Sequence, residues 1–447
     1  MAAPIVLVAG VLTAFSLFDS ASSSGRTLKL THVIFRHGNR SPIQAYPTDP
    51  YQEDSWPQGF GQLTQEGMRQ HYDLGQWFRQ RYVTDKKLLN SSYIRAEIKV
   101  RSTAYDRTLM SAQSNLAGLY PPEGWQVWKE QLAWQPIPIF TEPLTNNFLL
   151  VTDDFACPRL KELRAKLEKW HNEYISKNQT FFNYLAEHAG FDPNNVTYYN
   201  FTRIADSMQF ELADGRTLPL WATKKVLNRL LPLQDFSYSS EAQLSDEYFR
   251  LCSGGFVSEI VTHLKDKIAG TDSTKMYMYS AHDDNVAWAL RCLNVFNNLM
   301  PPTASCLLIE LYQEGDKSYT VDVLFKNNTK EEPLKLRLPG TSGQCTVDHF
   351  FNITQRFLLT DVSAACKAQK SSYGRSGFLP KTWNTGWILV VCASLLAVVI
   401  AIAMVIVLFI GTRRRKLLLK ARRMQPISFR LLGHVGTDSE DESVFDT

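Results

Sequence analysis

The stretch Phe35-Arg36-His37-Gly38-Asn39-Arg40-Ser41-Pro42 decides how this chain folds and where its chemistry lies. The residues immediately before it, 28–35, are mostly apolar or β-branched and predict a buried strand. Glycine and proline then end the strand, so the two arginines and the histidine are expected in a tight loop at its carboxyl end. Two guanidinium groups flanking an imidazole could hold a phosphate dianion beside a nucleophile.

Two further predicted strands also end in polar residues. The strand at 97–100 ends in Arg101, and the strand at 275–279 is followed by His282 and Asp283. In open α/β sheets, ligands bind beyond the carboxyl ends of the strands. We therefore expect these side chains to meet those of the first loop at one edge of the sheet.

These segments resemble the signature of the histidine acid phosphatases, a branch of the phosphoglycerate-mutase-like superfamily. The passage from Tyr46 to Thr64, the stretch Val100-Arg101-Ser102-Thr103 and the stretch Tyr279-Ser280-Ala281-His282-Asp283 are similar to the lysosomal and prostatic group of that family. The resemblance extends over residues 27–370. Two positions depart from the usual pattern, because Asn39 and Ala104 stand where an aspartate is common.

The resemblance implies that His37 becomes a phosphohistidine, while Asp283 protonates the leaving group and then accepts a proton from water. It also implies that four side chains bind the phosphoryl oxygens: Arg36, Arg40, Arg101 and His282. No metal and no cofactor are expected, because the arginines supply the positive charge. The reaction needs a neutral His37 and a protonated Asp283 at the same time, so the resemblance implies activity at mildly acidic pH. Arg107, further along the chain, is expected to form a structural salt bridge.

The implied activity is hydrolysis of small-molecule phosphate monoesters by an acid phosphatase. A narrower enzyme, specific for a lysophospholipid or a nucleotide monophosphate, is an alternative. A third reading is a catalytically silent, phosphatase-like membrane glycoprotein that acts in recognition or trafficking. Since every core residue of the signature is present, the enzyme is favoured. Relatives form dimers, which makes a homodimer a possible assembly.

The predicted fold class is α/β, an open sheet with flanking helices. The main domain is expected at 25–380, and residues from about 150 to 250 indicate a mainly helical insertion that caps the sheet. Apolar periodicity predicts a helix at 65–82 and helical structure at 157–189.

Two apolar segments predict a membrane-anchored protein. Residues 1–24 are typical of a secretory signal peptide. Residues 387–410 carry no charge and are long enough to span about 30 Å of hydrocarbon. Basic residues follow at once, which predicts a cytosolic tail at 411–447. The expected topology is type I single-pass, in the lysosomal or plasma membrane, with the catalytic domain luminal or extracellular.

The charge distribution excludes a general basic surface. The whole chain has a formal charge of +4, and its predicted tail holds eight Lys or Arg against five Asp or Glu. The remainder is therefore nearly neutral, which argues against nucleic acid as a partner.

Six cysteines lie outside the predicted span, an even number that suits an oxidising compartment. The resemblance implies a disulfide between Cys157 and Cys366. It leaves three pairings open for the other four, which are Cys252, Cys292, Cys306 and Cys345. Six sequons predict a glycoprotein: Asn90, Asn178, Asn195, Asn200, Asn327 and Asn352. A seventh, at Asn39, is expected to stay unmodified because Pro42 follows it inside the proposed site.

Overall fold

A computed structural model describes residues 25–144, 147–150 and 157–367, together with Met404 and Arg413. The predicted signal peptide, membrane span and tail lie outside the described residues, apart from those last two positions. No helix within the described ranges is both long enough and apolar enough to cross a bilayer.

The centre of the protein is a mixed sheet built around β1 (Thr27–Arg36). The sheet order is β3-β2-β4-β1-β5-β6-β7, and β8 pairs with β6. Strands β1, β2, β3 and β4 run parallel, whereas β5 to β8 pair antiparallel. The bounds of the other strands are β2 Ile98–Ser102, β3 Phe140–Thr141, β4 Met276–Ala281, β5 Cys306–Gln313, β6 Tyr319–Lys326, β7 Leu334–Leu336 and β8 Cys345–Thr346.

Helices cover both faces of the sheet, which confirms the predicted α/β class. Val33 and Phe35 of β1 pack in one core with α1 and α2, and Ile34 packs in the opposite core with α8 and α9. This alternation follows from the two-residue period of a strand. The helices are α1 Gln65–Phe78, α2 Asp106–Leu119, α3 Pro158–Lys177, α4 Gln179–Ala189, α5 Tyr198–Ala213, α6 Lys224–Leu230, α7 Pro232–Glu241, α8 Asp246–Ala269, α9 Asp283–Cys292, α10 Val347–Thr354 and α11 Val362–Ala365.

Helices α3 to α7 follow one another between β3 and α8, and α4 to α7 share a separate apolar core. The helical stretch predicted at 157–189 forms two helices, α3 and α4, which are separated at Asn178, where the backbone leaves the helical conformation with φ −124° and ψ 27°. Helix α1 also ends earlier than predicted and continues as a π-helical turn at Arg79–Asp85. We refer to residues 158–241 as the helical segment.

A disulfide joins Cys157, at the start of α3, to Cys366, just after α11. The other four cysteines of the described chain are buried free thiols, so none of the three open pairings is formed there. The sequon asparagines Asn90, Asn195, Asn327 and Asn352 are exposed, and Asn178 and Asn200 are half-buried. Asn39, by contrast, is buried.

Candidate active site

The signature loop, residues 37–42, begins where β1 ends and is held by the neighbouring strands. The backbone N–H of His37 donates to the carbonyl of Ala281 at 3.0 Å, and the His37 carbonyl accepts from Ala304 at 3.1 Å. The loop also touches the start of α1. A Cβ on Gly38 would lie 2.4 Å from the Gly67 carbonyl oxygen, so only glycine permits this close approach.

The geometry of His37 defines its tautomer. Its Nδ1 lies 2.8 Å from the carbonyl oxygen of Gly38, which can only accept, so Nδ1 carries the proton and Nε2 keeps its lone pair. Burial, followed by the charges of Arg107, Arg36 and Arg40, holds the pKa of His37 well below its usual value. The imidazole is therefore neutral and nucleophilic at acidic pH.

Arg36 pairs with the predicted acid at the same edge. Its Nη2 lies 2.7 Å from Oδ2 of Asp283, and its Nη1 donates to the carbonyl of Pro301 at 2.6 Å. Burial opposes ionisation of Asp283, but Arg36 and Arg40 outweigh it and hold the pKa of this carboxyl below its usual range. Without a bound anion, Asp283 is thus a carboxylate.

Two threonine hydroxyls orient His282, the residue that precedes α9. Its Nε2 lies 3.0 Å from Oγ1 of Thr103, which lies 2.8 Å from Oγ1 of Thr108. The Thr108 hydroxyl donates to backbone carbonyls, so it accepts the hydrogen bond from Thr103. The Thr103 hydroxyl in turn accepts from the Nε2–H of His282, which leaves Nδ1 of this imidazole as an acceptor. Nη2 of Arg107 lies 3.5 Å from that Nδ1. Burial, and then Arg107, lowers the pKa of His282 to about 3.

Arg101 does not join this cluster, which corrects the position expected from the sequence. Its side chain is 44% exposed and forms an ion pair with Glu259 of α8 at 3.2 Å. Residues of β2 alternate between buried and exposed, and Arg101 shares the exposed set with Lys99. The side chain therefore leaves the strand on the side opposite to its buried neighbours.

Arg107 provides the cation that was expected from Arg101, and sequence reasoning missed it. It lies in the first turn of α2, stacks over the Tyr105 ring at 4.6 Å and reaches His282. Burial, followed by repulsion from Arg40, lowers its pKa to about 10. The available signal was the short distance between the end of β2 and the start of α2, which brings the first helical turn to the same sheet edge.

The three arginines share a feature that suits an anion. Within the described part of the chain, the Nε atoms of Arg36, Arg40 and Arg107 are buried and have no hydrogen-bond partner. Leaving such donors without a partner is costly, so their natural complement is an anion with several acceptor oxygens. The described ranges contain no group of three His, Cys, Asp or Glu placed to hold a metal ion.

A cavity of about 200 Å³ adjoins the cluster on the side of the helical segment. Asp206, which pairs with Arg40, lines it together with Tyr238, whose hydroxyl donates to Asp284 at 2.8 Å. Tyr199 and Ile43 add apolar surface to the lining.

Comparison with known proteins agrees with this geometry. Residues 27–326 match the family model of the histidine phosphatase superfamily, branch 2. Prostatic acid phosphatase of Homo sapiens is 39% identical over 385 residues, covering 83% of this chain and 98% of that protein. Lysosomal acid phosphatase of Rattus norvegicus is 39% identical over 347 residues, covering 76% of this chain and 81% of that protein.

Solved structures support the fold alone. The phytase from Citrobacter braakii superposes with a TM-score of 0.56 at 19% identity, covering 76% of this chain and 100% of that one. The apo phytase of Hafnia alvei gives a TM-score of 0.57 at 17% identity, with coverage of 77% and 99%. Together with the acid phosphatase relatives, the sheet and the cluster around His37 define a phosphatase of the histidine phosphatase class. The chain belongs to the histidine phosphatase superfamily, branch 2.

Proposed function

We propose that this protein is an acid phosphatase that hydrolyses phosphate monoesters through a phosphohistidine at His37. The proposal rests on one arrangement. The Nε2 lone pair of His37 is available, and the three arginines around it each have a buried Nε donor without a hydrogen-bond partner among the described residues. The names of its relatives, prostatic and lysosomal acid phosphatase, support the same activity. Because these core residues are all present, a catalytically silent glycoprotein is disfavoured.

In the first half-reaction, Nε2 of His37 attacks phosphorus and the bond from phosphorus to the ester oxygen breaks. The donors of Arg36, Arg40 and Arg107 bind the equatorial oxygens and stabilise their charge in the transition state. The leaving oxygen takes a proton from Asp283, so the alcohol departs neutral. His282 can donate to an oxygen at its Nδ1 only when protonated, a form that the dianion favours.

In the second half-reaction, the Asp283 carboxylate accepts a proton from water while the water oxygen attacks phosphorus. The bond from phosphorus to Nε2 breaks, and inorganic phosphate and neutral His37 are released. Asp283 recovers the proton it gave up, so the cycle balances. We expect no metal and no cofactor to take part in either step.

Charge balance explains the acidic optimum that we propose. Three guanidinium groups face two carboxylates, Asp283 paired with Arg36 and Asp206 paired with Arg40. The free site thus has an excess of one positive charge, one fewer than a dianion requires. A phosphate dianion competes for Arg36 and raises the pKa of Asp283, so that binding is accompanied by uptake of the catalytic proton.

The leaving group would occupy the cavity beside Asp206 and Tyr238, beneath the helical segment, which we propose as the cap of the site. The mixture of aromatic, apolar and polar surface there suits small monoesters of varied structure. We also propose a type I membrane protein with a luminal or extracellular catalytic domain, glycosylated at its exposed sequons and forming a possible homodimer. The sequence pattern of the two termini supports the topology.

Hydrolysis of p-nitrophenyl phosphate at about pH 5, with and without a chelator, tests this function. Wild-type protein should turn over in both conditions, and His37→Ala should lose at least about a thousandfold in kcat, because no nucleophile remains. Rapid acid quenching of the wild type with ³²P-labelled substrate should trap label on protein, and His37→Ala should trap none. Equal rates for the two proteins would refute the assignment.

A further inference from the structure

Arg40 is held by two residues on one face of helix α5. Its Nη1 and Nη2 donate to Oδ2 and Oδ1 of Asp206 at 3.0 and 2.8 Å. One helical turn further on, the ring of Phe210 lies 4.3 Å from the guanidinium carbon. Nη1 also donates to the carbonyl of Ser41 at 3.1 Å. This signature-loop arginine is therefore oriented mainly by the helical segment.

The two carboxylate bonds select which edge of the guanidinium remains available. A guanidinium has five N–H donors in a rigid plane, and a carboxylate that bridges both Nη atoms occupies one edge. The other edge, formed by the Nε–H and the second N–H of Nη2, is not used by the carboxylate. Nε of Arg40 is buried and without a partner among the described residues, so this second edge is the one an anion can use.

The carboxyl group of Asp206 has partners on both of its oxygens. Besides the two bonds to Arg40, its Oδ2 accepts from the backbone N–H of Ile43 at 3.2 Å. Both oxygens are thus engaged in hydrogen bonds. Its effect on the reaction must therefore act through Arg40.

We propose that Asp206 is a positioning residue, which turns the Nε edge of Arg40 toward the phosphate. The proposal rests on the proposed function, because it concerns the same anion site. It assigns to α5 a direct part in phosphate binding, in addition to lining the adjoining cavity. Charged, bidentate pairs of this kind are strong and geometrically specific, so loss of one carboxylate oxygen should free the guanidinium to turn.

Asp206→Asn retains the shape of the side chain but replaces one acceptor oxygen by a donor. We expect KM for p-nitrophenyl phosphate and the inhibition constant of inorganic phosphate to rise together by about tenfold, with kcat changed less than about threefold. Arg40 contacts the phosphoryl group in both ground and transition states, so its misplacement mainly weakens binding.

Tyr51→Phe is the matched control. The Tyr51 hydroxyl donates to the Thr217 carbonyl at 2.9 Å. This bond joins the segment that follows the signature loop to the helical segment and does not touch Arg40. This variant should keep wild-type KM and phosphate inhibition. If it matched Asp206→Asn, the effect would be general loosening of the helical segment, and the proposal would be wrong.

A double-mutant cycle with Arg40→Lys decides whether Asp206 acts through Arg40. Lysine cannot form the fork, so adding Asp206→Asn to Arg40→Lys should raise KM by less than about twofold. Additive effects would overturn the proposal. So would tighter phosphate binding by Asp206→Asn alone, since Asp206 would then merely repel the anion. Failure of the phosphatase assignment can be told apart from failure of this proposal, because it would appear as equal turnover by the wild type and His37→Ala.

Discussion

At the scale of single residues, the chemistry depends on which side chains the fold leaves with unused hydrogen-bond donors. His37 has a defined tautomer because one carbonyl oxygen holds its Nδ1 proton. Arg101 and Arg107 are six positions apart, yet one is paired with Glu259 and the other reaches His282. Their fates differ because strand and helix geometry direct their side chains to different sides of the sheet.

This difference gives a direct prediction for the two arginines. Arg107→Ala should lower kcat/KM for p-nitrophenyl phosphate by about a hundredfold or more, because it removes a buried donor to the transition state. Arg101→Ala should stay within about threefold of wild type, since it breaks only a half-exposed ion pair. Steady-state kinetics at about pH 5 compare them. If Arg101→Ala lowered kcat/KM more than Arg107→Ala, Arg101 rather than Arg107 would contact the phosphate.

At the scale of elements, α5 links the helical segment to the residues that follow the signature loop. Besides Asp206 and Phe210 it carries Glu211, whose buried carboxyl oxygens have no conventional donor among the described residues. The Glu211 carboxyl group lies beside that of Asp49 across this junction, close to Tyr46 and Arg216. Two carboxyl groups so close must hold one proton between them.

The Glu211–Asp49 pair predicts a stability that falls as pH rises. Burial, and then Asp49, raises the pKa of Glu211 to about 8, against 4.5 for an ordinary glutamate. The folded protein therefore holds a proton that the unfolded chain releases, and stability is lost between about pH 4.5 and pH 8. Glu211→Gln can donate to Asp49 at every pH and should remove this loss, which amounts to at most about 1.4 kcal/mol for each pH unit within that range.

Thermal unfolding of the folded domain at pH 5, 6.5 and 8 measures this effect, where the carboxyl pair should titrate. Glu187→Gln, an exposed glutamate on α4, is the control and should keep the wild-type slope of Tm against pH. If Glu211→Gln followed that same slope, the two carboxyl groups would not be sharing a proton.

At the scale of the whole molecule, one covalent bond ties distant parts of the chain together. The Cys157–Cys366 disulfide spans 209 residues and joins the start of the helical segment to the last described helix. The other cysteines of the described chain are buried thiols inside the apolar cores, and they act there as small hydrophobic residues.

The disulfide closes a long loop, between residues 209 positions apart, so its removal should lower the stability of the domain strongly. Replacing Cys157 and Cys366 together by alanine should destabilise the domain by about 2–5 kcal/mol, because the unfolded chain gains freedom. Urea unfolding of wild type and variant measures the difference. Cys345→Ala, a buried cysteine without a disulfide, is the control for loss of packing alone. Equal stabilities of the double variant and wild type would contradict this.

The sequence alone determined the family signature, the strand that precedes it and the polar residues that meet at the ends of β1 and β4. These features are local: a run of β-branched residues, a glycine that permits close approach, and polar residues at a strand terminus. The α/β class was predictable for the same reason, whereas the disulfide joins residues 209 positions apart and was implied only by the family resemblance. The division of the predicted helical stretch at Asn178 is not visible in the sequence, because the apolar periodicity continues on both sides of that residue.

Only the tertiary structure decided which arginines meet and which carboxylates hold them. Arg107 replaces Arg101 because side-chain direction depends on sheet register and on how α2 packs. Asp206 reaches Arg40 across 166 positions of sequence, and Glu211 reaches Asp49 across a similar distance. Contacts of that kind arise from packing between separate elements, and no local pattern in the chain encodes them.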